Sequence, residues 1–149
     1  MRTLILITAN LILGICTTMA QTTETSSSKS SSEFSITYDT DSPNKKYYRS
    51  FTVLDMDDDY RIKVRFMKSL KSNVKSYLID QFGEEKMKIK DGTFLWAEMV
   101  DEEEMYEIKL KGNKLRINVS KELASDKLIK RFKQVGEELK KITSKSEEI

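Results

Sequence analysis

Apolar residues alternate with polar ones through most of this chain, and the period lengthens in two places. Phe34, Ile36 and Tyr38 alternate with polar residues before Tyr38–Asn44 breaks the run with turn-forming side chains. Tyr47, Arg49, Phe51 and Val53 predict a second strand, ended by the acidic run Asp55–Asp59. Tyr60, Ile62, Val64 and Phe66 predict a third, which makes a hairpin with the second. The period then becomes helical. Leu70, Val74, Tyr77, Leu78 and Phe82 fall on one face, with Ser69 as N-cap and Gly83 as stop.

Alternation resumes at Met87 and Ile89, and Asp91-Gly92 is a strong two-residue hairpin signal. Thr93–Val100 is apolar on both parities, which predicts a strand covered on both faces in the middle of the sheet. Asp101–Glu104 turns the chain. Tyr106, Ile108 and Leu110, the turn at Gly112-Asn113, and Leu115, Ile117 and Val119 give two more strands. Leu128, Phe132, Val135, Leu139 and Ile142 step by four and three along a closing helix, with Ser125 or Ser120 as its cap. Gly136 within it costs about 1 kcal/mol relative to alanine, and it is read either as allowing close approach to the sheet or as simply tolerated. The expected class is α+β: a mainly antiparallel sheet with two amphipathic helices packed on one face, because no βαβ rhythm appears.

The N-terminus adds a compartment. Met1-Arg2-Thr3, an apolar run from Leu4 to Ile15, and small residues before Gln21 make Met1–Ala20 read as a cleavable signal peptide. The apolar run falls short of the roughly 20 residues that a spanning helix needs, so no transmembrane segment is expected after its removal. Ile15 before Cys16 departs from the small residue that a lipid-attachment signal wants. Gln21–Ser32 is rich in serine and threonine, without a large apolar side chain, and reads as a flexible leader. A single domain is expected over 33–145. The chain is expected to be exported, periplasmic or secreted.

Composition then removes chemistry. Cys16 is the one cysteine and there is no histidine, so the mature chain holds no disulfide and no imidazole or thiolate. Serine–histidine–aspartate and cysteine–histidine hydrolases are excluded, along with the commonest zinc ligands. No cofactor, metal site or catalytic residue is expected, and the protein reads as non-enzymatic. The chain has 26 basic and 24 acidic residues; Arg2 is the only charged one before Gln21, leaving 25 and 24. That near balance argues against nucleic acid as a partner.

The remaining motifs carry little. Ser72 and Lys75 have serine–lysine acyl-transferase spacing, but Ser26 and Lys29 share it inside the leader. Asp55, Asp57 and Asp59 alternate as in a calcium loop, yet Tyr60 and Phe66 replace the glycine and glutamate of an EF-hand. That leaves a weak loop site or a well-solvated turn. Asn118-Val119-Ser120 has the letters of a glycosylation sequon. The five methionines after Met19 are dispersed in apolar registers, as core fillers are.

Charge position matters more than charge total. Opposite the apolar alternates lie Arg61, Lys63 and Arg65, then Lys86, Lys88 and Lys90, then Lys109 and Lys111, then Lys114 and Arg116. If the helices cover the apolar face, these side chains share the open one. Arg61, Lys63, Arg65, Lys88, Lys109 and Arg116 are the candidate binding residues, for an acidic glycan, a lipid headgroup or an acidic protein. Solubilising lysines on exposed strands are the plainer reading. A second function class is a small-ligand carrier or inhibitor domain, with Trp96, Tyr77 and Tyr106 lining a pocket between sheet and helices. The layout of signal peptide, polar leader, compact α+β domain and closing helix resembles small exported proteins of bacterial envelopes. That resemblance implies a periplasmic or secreted setting and no activity.

Overall fold

The computed structural model describes residues 30–39 and 47–144, leaving out the side chains of residues 37–39 and 47. The expected signal peptide, most of the leader, the turn after Asp39 and the last five residues lie outside the described residues. Within them the fold is α+β. Seven antiparallel strands form one sheet: β1 (Ser31–Asp39), β2 (Tyr47–Asp55), β3 (Asp59–Arg65), β4 (Lys88–Lys90), β5 (Thr93–Val100), β6 (Glu103–Lys111) and β7 (Lys114–Ser120). Their order is β1-β2-β3-β7-β6-β5-β4, so β7, the last of the described strands in sequence, is central. Helices α1 (Lys71–Phe82) and α2 (Asp126–Ser144) complete the domain.

Both helices lie on one face. The register places Tyr60, Ile62 and Val64 beside Val119, Ile117 and Leu115, and these beside Tyr106, Ile108 and Leu110. All nine are buried and share a parity. Phe82 of α1 and Phe132 of α2 stack at 5.4 Å, and both meet Tyr106, at 6.0 and 5.2 Å. Trp96 is fully buried and donates Nε1–H to the Gly83 carbonyl at 2.9 Å, tying β5 to the end of α1. The three aromatics expected around a ligand pocket thus divide: Trp96 and Tyr106 are core packing, and Tyr77 is half-buried at its margin. A Cβ built on Gly136 would stand 3.0 Å from Ile62 Cδ1 and 3.1 Å from the Tyr60 hydroxyl. The glycine therefore marks where α2 rests on the sheet.

Three expectations need correction. The strand apolar on both parities, β5, lies next to the edge, and only Trp96 in it is fully buried. The deeply covered strands are β3, β6 and β7, which alternate, apart from the adjacent buried pair Met105 and Tyr106 in β6, because one face meets the helices and the other meets solvent. Ser31 and Ser32, assigned to the leader by composition, belong to β1 and pair with Asp55 and Leu54. Ser69 does not cap α1: a single 3-10 turn, Lys68–Leu70, feeds the helix, and Leu70 occupies the cap position without a side-chain bond. Ser125, rather than Ser120, caps α2, its Oγ accepting the Leu128 N–H at 3.3 Å.

The pairing of β1 settles what its alternation leaves open. Phe34 pairs with Thr52 and Ile36 with Ser50, so both side chains emerge on the face away from the helices. They are 64% and 43% exposed. Side-chain period is two, so pairing decides the face outright. Glu33 takes the helix side instead and forms an ion pair with Lys140 of α2.

Candidate binding face

Antiparallel pairing turns the alternation of β3, β7 and β6 into two cross-strand rows of positive charge. In the first, Lys63 stands opposite Arg116, and Arg116 opposite Lys109. In the second, Arg65 stands opposite Lys114, and Lys114 opposite Lys111. Directly opposed residues have Cβ atoms about 5 Å apart, and like charges there are destabilising. The rows continue onto β5 with uncharged side chains, Leu95 opposite Lys109 and Thr93 opposite Lys111, and end at Lys88 and Lys90 of β4.

The open face is concave over these rows. The hollow has a volume of about 680 Å³, within the usual range for a ligand site. Lys63, Arg65, Lys90, Lys109, Lys111, Lys114 and Arg116 line it, with Asp91 as the one carboxylate. Ser50, Thr52, Thr93 and Leu95 supply neutral lining. Among the described residues, the one ion pair to this group is Lys109 with Glu107, at 2.6 Å. The Arg65 guanidinium lies 6.0 Å from the Tyr48 ring centroid.

The six expected site residues therefore share a face but not a role in the hollow. Lys63, Arg65, Lys109 and Arg116 line it together. Arg61 stands one step away along β3, bonded to Asp59, at an end of the face where Glu104 and Glu107 also lie. Burial raises the Glu104 carboxyl above its ordinary range, and the neighbouring Glu107 adds to the rise. Lys88 is on the same face, beyond Leu95 and outside the lining. Lys90, Lys111 and Lys114 join the lining through the same alternation that marked the other basic residues.

The remaining motifs resolve structurally. The carboxylates of the acidic turn do not converge, because Asp55 has helix-face parity and Asp59 open-face parity. Asp55 pairs with Lys121 and, at 2.6 Å, with Lys133. Burial works to raise its carboxyl, but the two ammonium groups outweigh this and hold it below its ordinary value. Among the described residues no group of three or more acidic side chains is placed to share a metal ion. Lys75, of the serine–lysine spacing, lies over the Phe94 ring at 4.4 Å. Asn118 lies on the open face of β7 between Arg61 and Glu107.

No helix among the described residues is long and apolar enough to cross a membrane. Neither the family models, the curated proteins nor the solved structures compared with this chain give a match.

Proposed function

We propose that this chain is a non-enzymatic exported binding protein whose concave, basic sheet face holds anionic ligands. The observation that carries the reading is the opposition of like charges across β3, β7 and β6. A face that needed only solubility would be served by interspersed signs. Cross-strand opposites of the same sign give up some tenths of a kcal/mol per pair, and an anion in the hollow returns that energy by entering a field focused by its walls. The periplasmic or secreted setting belongs to the same proposal, resting on the Met1–Ala20 segment.

The carrier alternative draws its support from aromatic composition. It would need space where Phe82, Tyr106 and Phe132 stack. The open face, by contrast, is a hollow already formed.

The test is retention of the chain on an anionic matrix across a salt gradient. The proposal expects retention at low ionic strength that falls steeply with salt, and its loss when Lys63→Glu and Arg116→Glu are combined in a folded variant. Flow-through of the wild type at low salt would refute it.

A further inference from the structure

The basic hollow does not occupy the open face alone. Following one row outward from Lys63, the register passes Thr52 on β2 and reaches Phe34 on β1. The next row runs from Arg65 past Ser50 to Ile36. Two strand spacings separate the apolar pair from the cations, about 10 Å. Phe34 and Ile36 are among the most exposed large apolar side chains described, and β1 is an edge strand, so they stand at the rim of the hollow rather than on its floor.

A soluble polyanion leaves those two side chains without a role. A ligand with an anionic head and an apolar body uses both zones at once. Interfacial apolar side chains enter a bilayer by about 5–10 Å, to the boundary of headgroups and acyl chains, and each nearby lysine or arginine gains from an anionic surface. With the sheet edge-on to the bilayer and β1 innermost, the lateral spacing becomes a depth that matches that layering: cations at headgroup level and an aromatic–aliphatic pair below them.

Resting on the basic-face reading above, we infer that the ligand is an anionic phospholipid presented by a bilayer, its headgroup against Lys63, Arg65, Lys114 and Arg116, with Phe34 and Ile36 entering beside the acyl chains. The edge strand offers one competing use, pairing with a second copy of the chain through its free backbone groups. Glu33 turned inward and bonded to Lys140 works against that, since it fixes a charged side chain within the stretch that a partner strand would adjoin.

The experiment uses the chain from Gln21, which keeps every described contact and lacks the apolar N-terminal segment that would itself enter lipid. Flotation with phosphatidylglycerol–phosphatidylcholine vesicles is compared with pure phosphatidylcholine vesicles and with binding to soluble dextran sulfate. The inference expects co-flotation with the anionic vesicles only. Phe34→Ser with Ile36→Ser should weaken vesicle binding at least tenfold, a change expected from losing the burial of two such side chains, while dextran sulfate binding is unchanged. Lys63→Glu with Arg116→Glu should abolish both. Dextran sulfate binding without vesicle binding, or vesicle binding indifferent to Phe34 and Ile36, overturns the lipid inference and leaves the basic-face reading standing. Binding to neither probe removes both. Light scattering that shows a dimer dissolved by the Phe34 and Ile36 substitutions, with vesicle binding unaltered, assigns the strand to self-association and also overturns the inference.

Discussion

Arg116 has Lys63 on one side and Lys109 on the other, at directly opposed positions of the sheet. Replacing it with glutamate would turn two like-charge pairs into two opposite ones. Such pairs are each worth roughly 0.2–1 kcal/mol, so Arg116→Glu should raise thermal stability while weakening anion binding. Paired melting and binding measurements check this, and a variant that loses stability would show that the cations are not in mutual repulsion. Two buried phenols tie stability to alkaline pH. The Tyr60 hydroxyl is pushed up to about 12, first by burial and then by the carboxylates of Asp55, Glu137 and Glu33. Tyr106 is likewise pushed up to about 12 by burial and by Glu98. Between the ordinary value of 10.0 and about 12, the unfolded chain ionises these groups while the folded chain does not. Stability is therefore fully present below the unfolded value and is lost as pH rises through this window, by up to about 3 kcal/mol for each group. Phenolate absorbance should show the two rings titrating late, and equilibrium unfolding should weaken over the same range.

The expected strands and the two helices form, with β1 reaching back to Ser31 and a 3-10 turn preceding α1, and the helix-facing parity of β2, β3, β6 and β7 follows directly from their apolar positions. Leu70, Val74, Leu78 and Phe82, and Phe132, Val135 and Leu139, are buried along their helices as the spacing predicts. What local pattern does not contain is lateral position. Thr93–Val100 reads as central because both parities are apolar, but Leu95 faces the hollow, and the pairing with β6 shifts register between Glu98 and Met99, where Met105 is the extra residue, before an exposed end. Nothing in the alternation of Phe34 and Ile36 says which face they take, because an edge strand inherits its parity from one neighbour only. The basic rows were legible as alternation on separate strands. Their opposition across β3, β7 and β6 depends on pairing, and so does the distinction between Lys63 or Arg116 in the hollow and Arg61 or Lys88 beside it. Turn chemistry was local and therefore readable: Asp91 and Gly92 both adopt positive φ, 49° and 72°, as the Asp-Gly hairpin signal requires.

At the scale of the whole molecule, one face is closed by two helices and the other is open, concave and positive, although the full sequence carries a formal net charge of only +2. A near-neutral protein with a concentrated field differs from a uniformly basic one in a way that equal charge changes at different places reveal. The decisive measurement compares two double reversals on the same face by affinity for a soluble polyanion at low salt. Lys63→Glu with Arg116→Glu alters the hollow, and Arg61→Glu with Lys88→Glu makes the same change in net charge outside its lining. The account predicts that the first pair abolishes binding and that the second leaves most of it intact. Equal losses from both pairs would contradict it, since binding would then follow net charge and not the site.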